Sequence, residues 1–269
     1  MDFRRIEWIF LVVFVALDIF LGWSMAQNQR VYLSTGTTGG TNQVMRDIKD
    51  DDIALPELST KTSTGAYLAS RGNNDLADHY MQVAKSGDQS INVNKGAYVT
   101  LDATLNNPLT LRKDDNVATQ LTDWVQSSAN VLYGHEYVYQ KYLSTDTSYV
   151  FAQKVNGRLL LDDRGQLILT VHDGKLTGYT QTYVDKLLTM RNDETVISER
   201  EAVTTLYQSN EIVANSRVIW INKGYTWLLD AKGSTVYIPA YFVGIESKNS
   251  KSVSIKRINA ITKAVIKTH

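Results

Sequence analysis

Hydrophobic and polar positions divide the chain into two unequal parts. Residues 8–26, WIFLVVFVALDIFLGWSMA, are apolar at nearly every position, whereas beyond residue 30 apolar residues recur mainly at the spacings of helices and strands. A bilayer-spanning helix needs roughly 20 consecutive apolar residues, so the first stretch predicts a transmembrane helix. Asp18 interrupts it. A carboxyl group near mid-membrane costs about 2.5–3.5 kcal/mol on insertion scales, and is normally neutral, paired or turned towards another helix. Arg4 and Arg5 precede the run, and Trp8 and Trp23 lie near its two ends, where indole rings settle at the membrane interface. Ser24-Met25-Ala26 has the small-x-small form of a signal-peptidase site. The run nevertheless exceeds the roughly 7–15 apolar residues of a cleavable signal, and bulky Phe20, Leu21 and Trp23 crowd the site. The expectation is an uncleaved anchor, with the basic N-terminus in the cytoplasm and the rest exported.

Beyond the anchor, residues 34–41 read STGTTGGT, a glycine- and threonine-rich tether. Val44, Ile48 and the run Asp50-Asp51-Asp52 predict a short amphipathic helix ending at the acids, and residues 73–83 another. Val99, Leu101 and Ala103 alternate with Tyr98, Thr100 and Asp102, the two-residue period of a half-buried strand, with a turn at Asn106-Asn107-Pro108. Asp114 or Asp115 then caps a helix carrying Val117, Leu121, Trp124, Val125, Ser128 and Leu132 on one face, stopped by Gly134. Strands follow at 137–143, 149–155, 158–161, 167–172 and 176–183, with turns at Asn156-Gly157, Asp163-Arg164-Gly165 and Asp173-Gly174. Ser198 and Glu201 form a capping box opening a helix with Ala202, Val203, Leu206 and Tyr207 inward. Strands resume at 217–222, 225–230, 235–245 and 253–258, with turns at Lys223-Gly224 and Lys232-Gly233.

The prediction is thus an α+β chain: a single N-terminal transmembrane helix, then a two-lobed extracellular domain of antiparallel sheets, each packed with a helix. Gln126-Ser127 and Gln208-Ser209 occupy similar places in the two units. The expected organisation is a cytoplasmic N-terminus (1–7), anchor (8–26), flexible tether (27–43), first lobe (44–150) and second lobe (151–269).

Composition narrows the function. With 43% of residues hydrophobic, the exported part has enough apolar side chain to fold. Lys+Arg and Asp+Glu each number 28, and that balance argues against a nucleic-acid surface, which needs a basic excess. Cysteine is absent, which rules out disulfides and thiol chemistry. Fifteen tyrosines against three prolines favour sheet with tight turns over a proline-rich stalk.

No recognised catalytic pattern emerges. His79, His135, His172 and His269 are widely separated, without a His-Glu-x-x-His motif. Gly-x-Ser-x-Gly and Ser-x-x-Lys are also absent. His135-Glu136 would project to opposite faces of a strand. STGTTGGT lacks the Gly-Lys-Ser/Thr of a phosphate loop, and Asp50-Asp51-Asp52 lacks the glycine and terminal glutamate of a calcium loop. Carboxylate pairs that meet only in the fold stay open. The reading is a protein that binds rather than catalyses, with no catalytic, cofactor or metal residues to name.

The anchor ending LDIFLGW, followed by SEREAVTTLYQSNEI, IWINKGYTWLLD and STVYIPAYFVGIE, resembles the YycI (WalI) family of low-GC Gram-positive bacteria, and more distantly YycH. The resemblance implies an accessory of the WalK (YycG) sensor histidine kinase. Such a protein associates with YycH and the kinase, largely through transmembrane helices, and tunes the WalR (YycF) regulator that controls cell-wall metabolism. It also implies two related extracellular lobes and no enzymatic residues. On that reading the partner-binding residues are in the anchor. Asp18 makes an interhelical hydrogen bond, and Gly22, one turn on, admits a partner backbone. Phe14 and Leu21 complete the contact. Two alternatives stand beside it: Asp18 reaching water at the outer surface, and an exported ligand- or protein-binding module for which the anchor is only a tether.

Overall fold

The computed structural model describes residues 38–267 apart from 86, 113–115 and 191–192, together with Leu11, Phe14, Val15, Leu17 and Asp18. The chain divides into two compact units, Met1–Asp47 and Ile48–His269.

In the first unit Leu11, Phe14, Val15, Leu17 and Asp18 are helical and exposed. The remainder of the 8–26 run lies outside the described residues. Among the described residues no helix is long and apolar enough to cross a membrane. Helix α1 (Thr38–Asp50) ends at the acids, as the pattern predicted, but it begins inside the expected tether. Within it Gln43 Nε2 donates to Asp47 Oδ1 one turn on at 2.9 Å. At its end Asp52 takes a positive φ of 56°, Asp52 N–H donates to Lys49 O and Ile53 N–H donates to Ile48 O. That is a Schellman stop with aspartate in the usual glycine position.

The second unit continues with β1 (Ser63–Gly65), β2 (Leu68–Arg71), α2 (Asp75–His79), α3 (Met81–Ala84), β3 (Gln89–Lys95), β4 (Val99–Thr110) and α4 (Val117–Gln126). Then come β5 (Tyr137–Tyr139), β6 (Ser148–Val155), β7 (Arg158–Leu160), β8 (Gln166–His172), β9 (Lys175–Thr182), β10 (Leu188–Thr189) and β11 (Glu194–Val196). The last elements are α5 (Glu199–Gln208), β12 (Ser216–Ala231), β13 (Ser234–Ser247), β14 (Val253–Asn259) and β15 (Val265–Ile266). The fold is mixed α+β, dominated by antiparallel sheet. The main sheet runs β10-β2-β13-β12-β7-β6-β8-β9-β4-β3, with β14 and β15 continuing beside β13 and β5 pairing β6. One parallel pairing, Tyr225 opposite Leu160, joins β12 to β7.

Turn chemistry explains most of these elements. Asn156-Gly157, Asp173-Gly174 and Lys232-Gly233 all have positive φ at both residues, as two-residue hairpins of type I′ require. Lys223-Gly224 behaves differently. It continues β12, paired with Tyr241 and Ala240, so the two strands expected at 217–222 and 225–230 are one. A Cβ on Gly224 would lie 2.7 Å from Leu161 Cδ1, so the glycine serves close packing of β12 on the β7 segment. Asn106-Asn107-Pro108 likewise lies within β4, where a register shift between Thr104 and Leu109 accommodates the proline. The expected strand 137–143 breaks after Tyr139 into a 3-10 turn, Lys141–Leu143.

Helices α4 and α5 show the local logic of their sequence. Helix α4 is capped by Asn116, whose side chain accepts from Ala118 N–H at 3.0 Å; Asp114 and Asp115, the expected caps, lie outside the described residues. It ends at Gln126, before Ser128 and Leu132, and a Cβ on Gly134 would collide with Val125 O, so that glycine lets the following loop close over the helix end. Helix α5 has the full predicted capping box: Glu201 N–H donates to Ser198 Oγ and Ser198 N–H to Glu201 Oε2. Gln126 and Gln208 each end their helix, with Ser127 and Ser209 as the following caps.

One apolar core gathers Leu121 and Val125 of α4 against Leu101, Phe151, Leu167 and Leu169 of the sheet. Around α5, Ala202, Val203 and Leu206 are fully buried, and a further cluster joins Leu68, Val155, Leu160 and Tyr237. Residue 150 falls inside β6, which pairs β5, β7 and β8, so the two helix-bearing halves share one sheet.

Candidate functional site

The second unit has a cleft of about 230 Å³ where segments distant in sequence converge. One wall is the end of β2 and the loop after it (Ser70, Arg71, Gly72, Asn73, Asn74), and the facing wall is the β3–β4 turn (Lys95, Gly96, Ala97, Tyr98, Val99). Arg164, Tyr183, Val184, Thr235 and Tyr237 complete the lining.

Arg164 is fixed from several sides. It sits in the 3-10 turn Asp163–Gly165, capped by Asp162, whose Oδ1 accepts from Arg164 N–H at 3.2 Å. Asp162 Oδ2 accepts from the Thr226 hydroxyl at 3.0 Å and Trp227 N–H at 2.7 Å, locking the turn to β12. Burial pushes the Asp162 carboxyl pKa up, and the Trp227 N–H opposes that shift. The Arg164 guanidinium donates to both Asp230 oxygens, at 2.6 and 2.9 Å, and to Thr235 Oγ1 at 2.9 Å. Its central carbon lies 5.5 Å from the Tyr98 ring centroid and 5.2 Å from that of Trp227, within cation–π range. The Arg164 hydrogen bonds hold the Asp230 carboxyl at about 2, and Asp230 in turn raises the arginine. Tyr98 OH donates to Asp163 Oδ2 at 3.1 Å. Burial raises Tyr237 to about 12, so its hydroxyl stays protonated.

Among the described residues no Asp or Glu lines the cleft. Arg71 and Lys95, both exposed, have no ion-pair partner among the described residues. On the next loop Asn73 Nδ2 donates to Tyr183 O at 3.2 Å, and Tyr183 stacks on Tyr133 with centroids 4.3 Å apart. Tyr183 OH donates to Glu136 Oε1 at 3.2 Å.

Of the sequence-predicted partner residues, Phe14 and Asp18 are described and helical, and Phe14 is 63% exposed. Leu21 and Gly22 lie outside the described residues. His135-Glu136 falls in a 3-10 turn, Gly134–Glu136, not in a strand. Glu136 is engaged by Gln153 and Tyr183, while His135 is exposed. His79 Nδ1 lies 2.9 Å from Asp75 O, and His172 lies 3.1 Å from the Asp173 carboxylate. His269 lies outside the described residues. Among the described residues, no cluster of three or more His, Asp or Glu is arranged to hold a metal. The cleft itself had no sequence signal: Arg164 read as part of a turn, and no sequence pattern singled out Arg71 or Lys95.

Comparison with known proteins gives the family. The YycI protein family matches residues 34–261 of the sequence. The chain belongs to the YycI family. Membership points to a regulatory role in the WalK/WalR system, and YycI proteins are regulatory accessories rather than known enzymes. No curated protein matches significantly. The crystal structure of an uncharacterized protein from Eubacterium rectale ATCC 33656 is similar in fold, with a TM-score of 0.50 at 9% identity, covering 80% of this chain and 89% of that one. The YpeB C-terminal domain of Bacillus megaterium aligns over 74% of this chain and 99% of that one, at 15% identity and a TM-score of 0.34, too low to carry an argument.

Proposed function

We propose that this YycI-family chain is a single-pass membrane regulator, with its N-terminus in the cytoplasm and residues 27–269 outside the cell. Through its transmembrane helix and its exported part it associates with a YycH-like protein and the WalK sensor histidine kinase and tunes two-component control of cell-wall metabolism. The observation that carries this reading is the family match over residues 34–261, immediately behind an apolar run long enough to span a bilayer. Between lipid-embedded helices the hydrophobic effect supplies little attraction, and hydrogen bonds worth roughly 0.6–2 kcal/mol and close packing supply the rest. Asp18 provides the hydrogen bond in this account. By sequence spacing Gly22 and Phe14 fall one helical turn to either side of Asp18, and Leu21 is the fourth proposed partner-binding residue.

Membrane fractionation with intact-mass measurement of the native protein tests the reading. A full-length, membrane-bound product is expected. A product beginning at Gln27 in the medium would exclude a transmembrane mechanism.

A further inference from the structure

We propose that the cleft between Arg71 and Lys95 is a binding site for a phosphomonoester. Its two walls each bring one exposed cation without an ion-pair partner among the described residues, and among those residues no carboxylate lines the cleft. A phosphomonoester carries about −1.5 to −2 charges near neutral pH and three acceptor oxygens. That charge matches Arg71 and Lys95 together better than a single carboxylate does. Arg71 offers a planar fork of N–H donors and Lys95 a compact point charge, a combination suited to phosphate oxygens.

The third cation, Arg164, has a different part. It is committed to Asp230 and Thr235 and sandwiched near Tyr98 and Trp227. It therefore stiffens the floor and holds the β3–β4 turn, through Tyr98, at a fixed distance from β13. A site whose walls are set before the ligand arrives loses less ordering entropy on binding. Gly72 has no heavy atom within 4 Å of a Cβ built on it, so the backbone beside Arg71 is open to close approach. A volume of about 230 Å³ is small for a ligand pocket, typically about 300–1,000 Å³. It therefore suits a phosphate on a short organic group. Binding at this cleft is independent of the kinase reading, because it concerns what the second unit holds and not how the chain is anchored.

The experiment is calorimetric titration of the full-length chain in detergent with inorganic phosphate and with glycerol 3-phosphate, against sodium chloride at matched ionic strength. Saturable binding is expected, weakened about tenfold or more by R71Q and by K95Q, the loss typical of one charge-assisted hydrogen bond. R217Q, which alters an exposed arginine paired with Glu246, is expected to leave the affinity unchanged. Melting curves identify any variant that fails to fold, and K95Q and R71Q test the site independently. Titration repeated in micelles loaded with phosphatidic acid separates the sources: competition marks a lipid-borne phosphomonoester, its absence a soluble one. No saturable binding of either probe, or equal weakening by R217Q, overturns the proposal.

Discussion

Replacing Arg164 by methionine removes the guanidinium that holds the cleft floor while keeping an unbranched stem. Arg164 is 15% exposed, whereas its ion-pair partner Asp230 is 54% exposed. Solvent screens such a pair, so its electrostatic part is worth at most about 1 kcal/mol. The hydrogen bond to Thr235 adds about 1 kcal/mol, and the two ring contacts add about 0.5–1 kcal/mol each. The sum is about 3 kcal/mol, more from the neutral and aromatic contacts than from the visible salt bridge. For a unit of this size each kcal/mol moves the melting midpoint by roughly 2–4 °C, so R164M should lower it by roughly 6–12 °C. D230N, which weakens the pair while leaving the rings and an amide oxygen near Arg164, should cost about 1 kcal/mol or less. The assay is thermal unfolding of the full-length protein in detergent, followed by near-UV circular dichroism. A loss below about 1 kcal/mol for R164M, or equal losses for the two variants, would refute the account of Arg164 as an aromatic-held strut.

Two further substitutions and one pH dependence probe separate parts of the fold. G224A forces a methyl group against Leu161 inside β12 and should destabilise by about 1–3 kcal/mol; a neutral effect in urea unfolding would restore the hairpin that Lys223-Gly224 suggested. S198A removes the side-chain half of the capping box and should cost about 1 kcal/mol, read as a lower urea midpoint at unchanged slope. The Arg164–Asp230 pair should show its own pH dependence. Asp230 titrates at about 2 in the folded chain and near 3.9 unfolded. Its contribution is therefore fully present above the unfolded value and lost as pH falls through the folded one. The stability gap between the native protein and D230N should close on acidification from about pH 5 to pH 2. A gap that widens on acidification would contradict the assigned pairing.

Sequence and structure agree where the determining chemistry is local. Asn156-Gly157 and Asp173-Gly174 need positive φ for their tight turns, and Ser198 with Glu201 satisfies helix-end N–H groups within one turn. Their effects are complete within a few residues. Lys223-Gly224 and Asn106-Asn107-Pro108 carry the same residue types for reasons that arise across the sheet. Gly224 makes room for Leu161, just past the end of β7, and Pro108 sits where the register of β4 shifts against β9. The cleft was invisible for a related reason. Arg71, Lys95, Arg164 and Thr235 come from four separate strands or turns, and only the strand order brings them together. The anchor residues are the reverse case: Asp18 stands out in the sequence because a lone carboxyl group is costly in an apolar run.

The most direct test of the regulatory reading is exchange of residues 8–26 for an unrelated transmembrane helix in the full-length protein. The readout is recovery of the WalK kinase and a YycH-like partner with the tagged chain from solubilised membranes. The account predicts that the exchanged chain stays in the membrane but loses the kinase, and that Asp18→Leu alone weakens recovery in the same direction. Undiminished recovery of both partners with the foreign helix would contradict it and move the contact to the second unit.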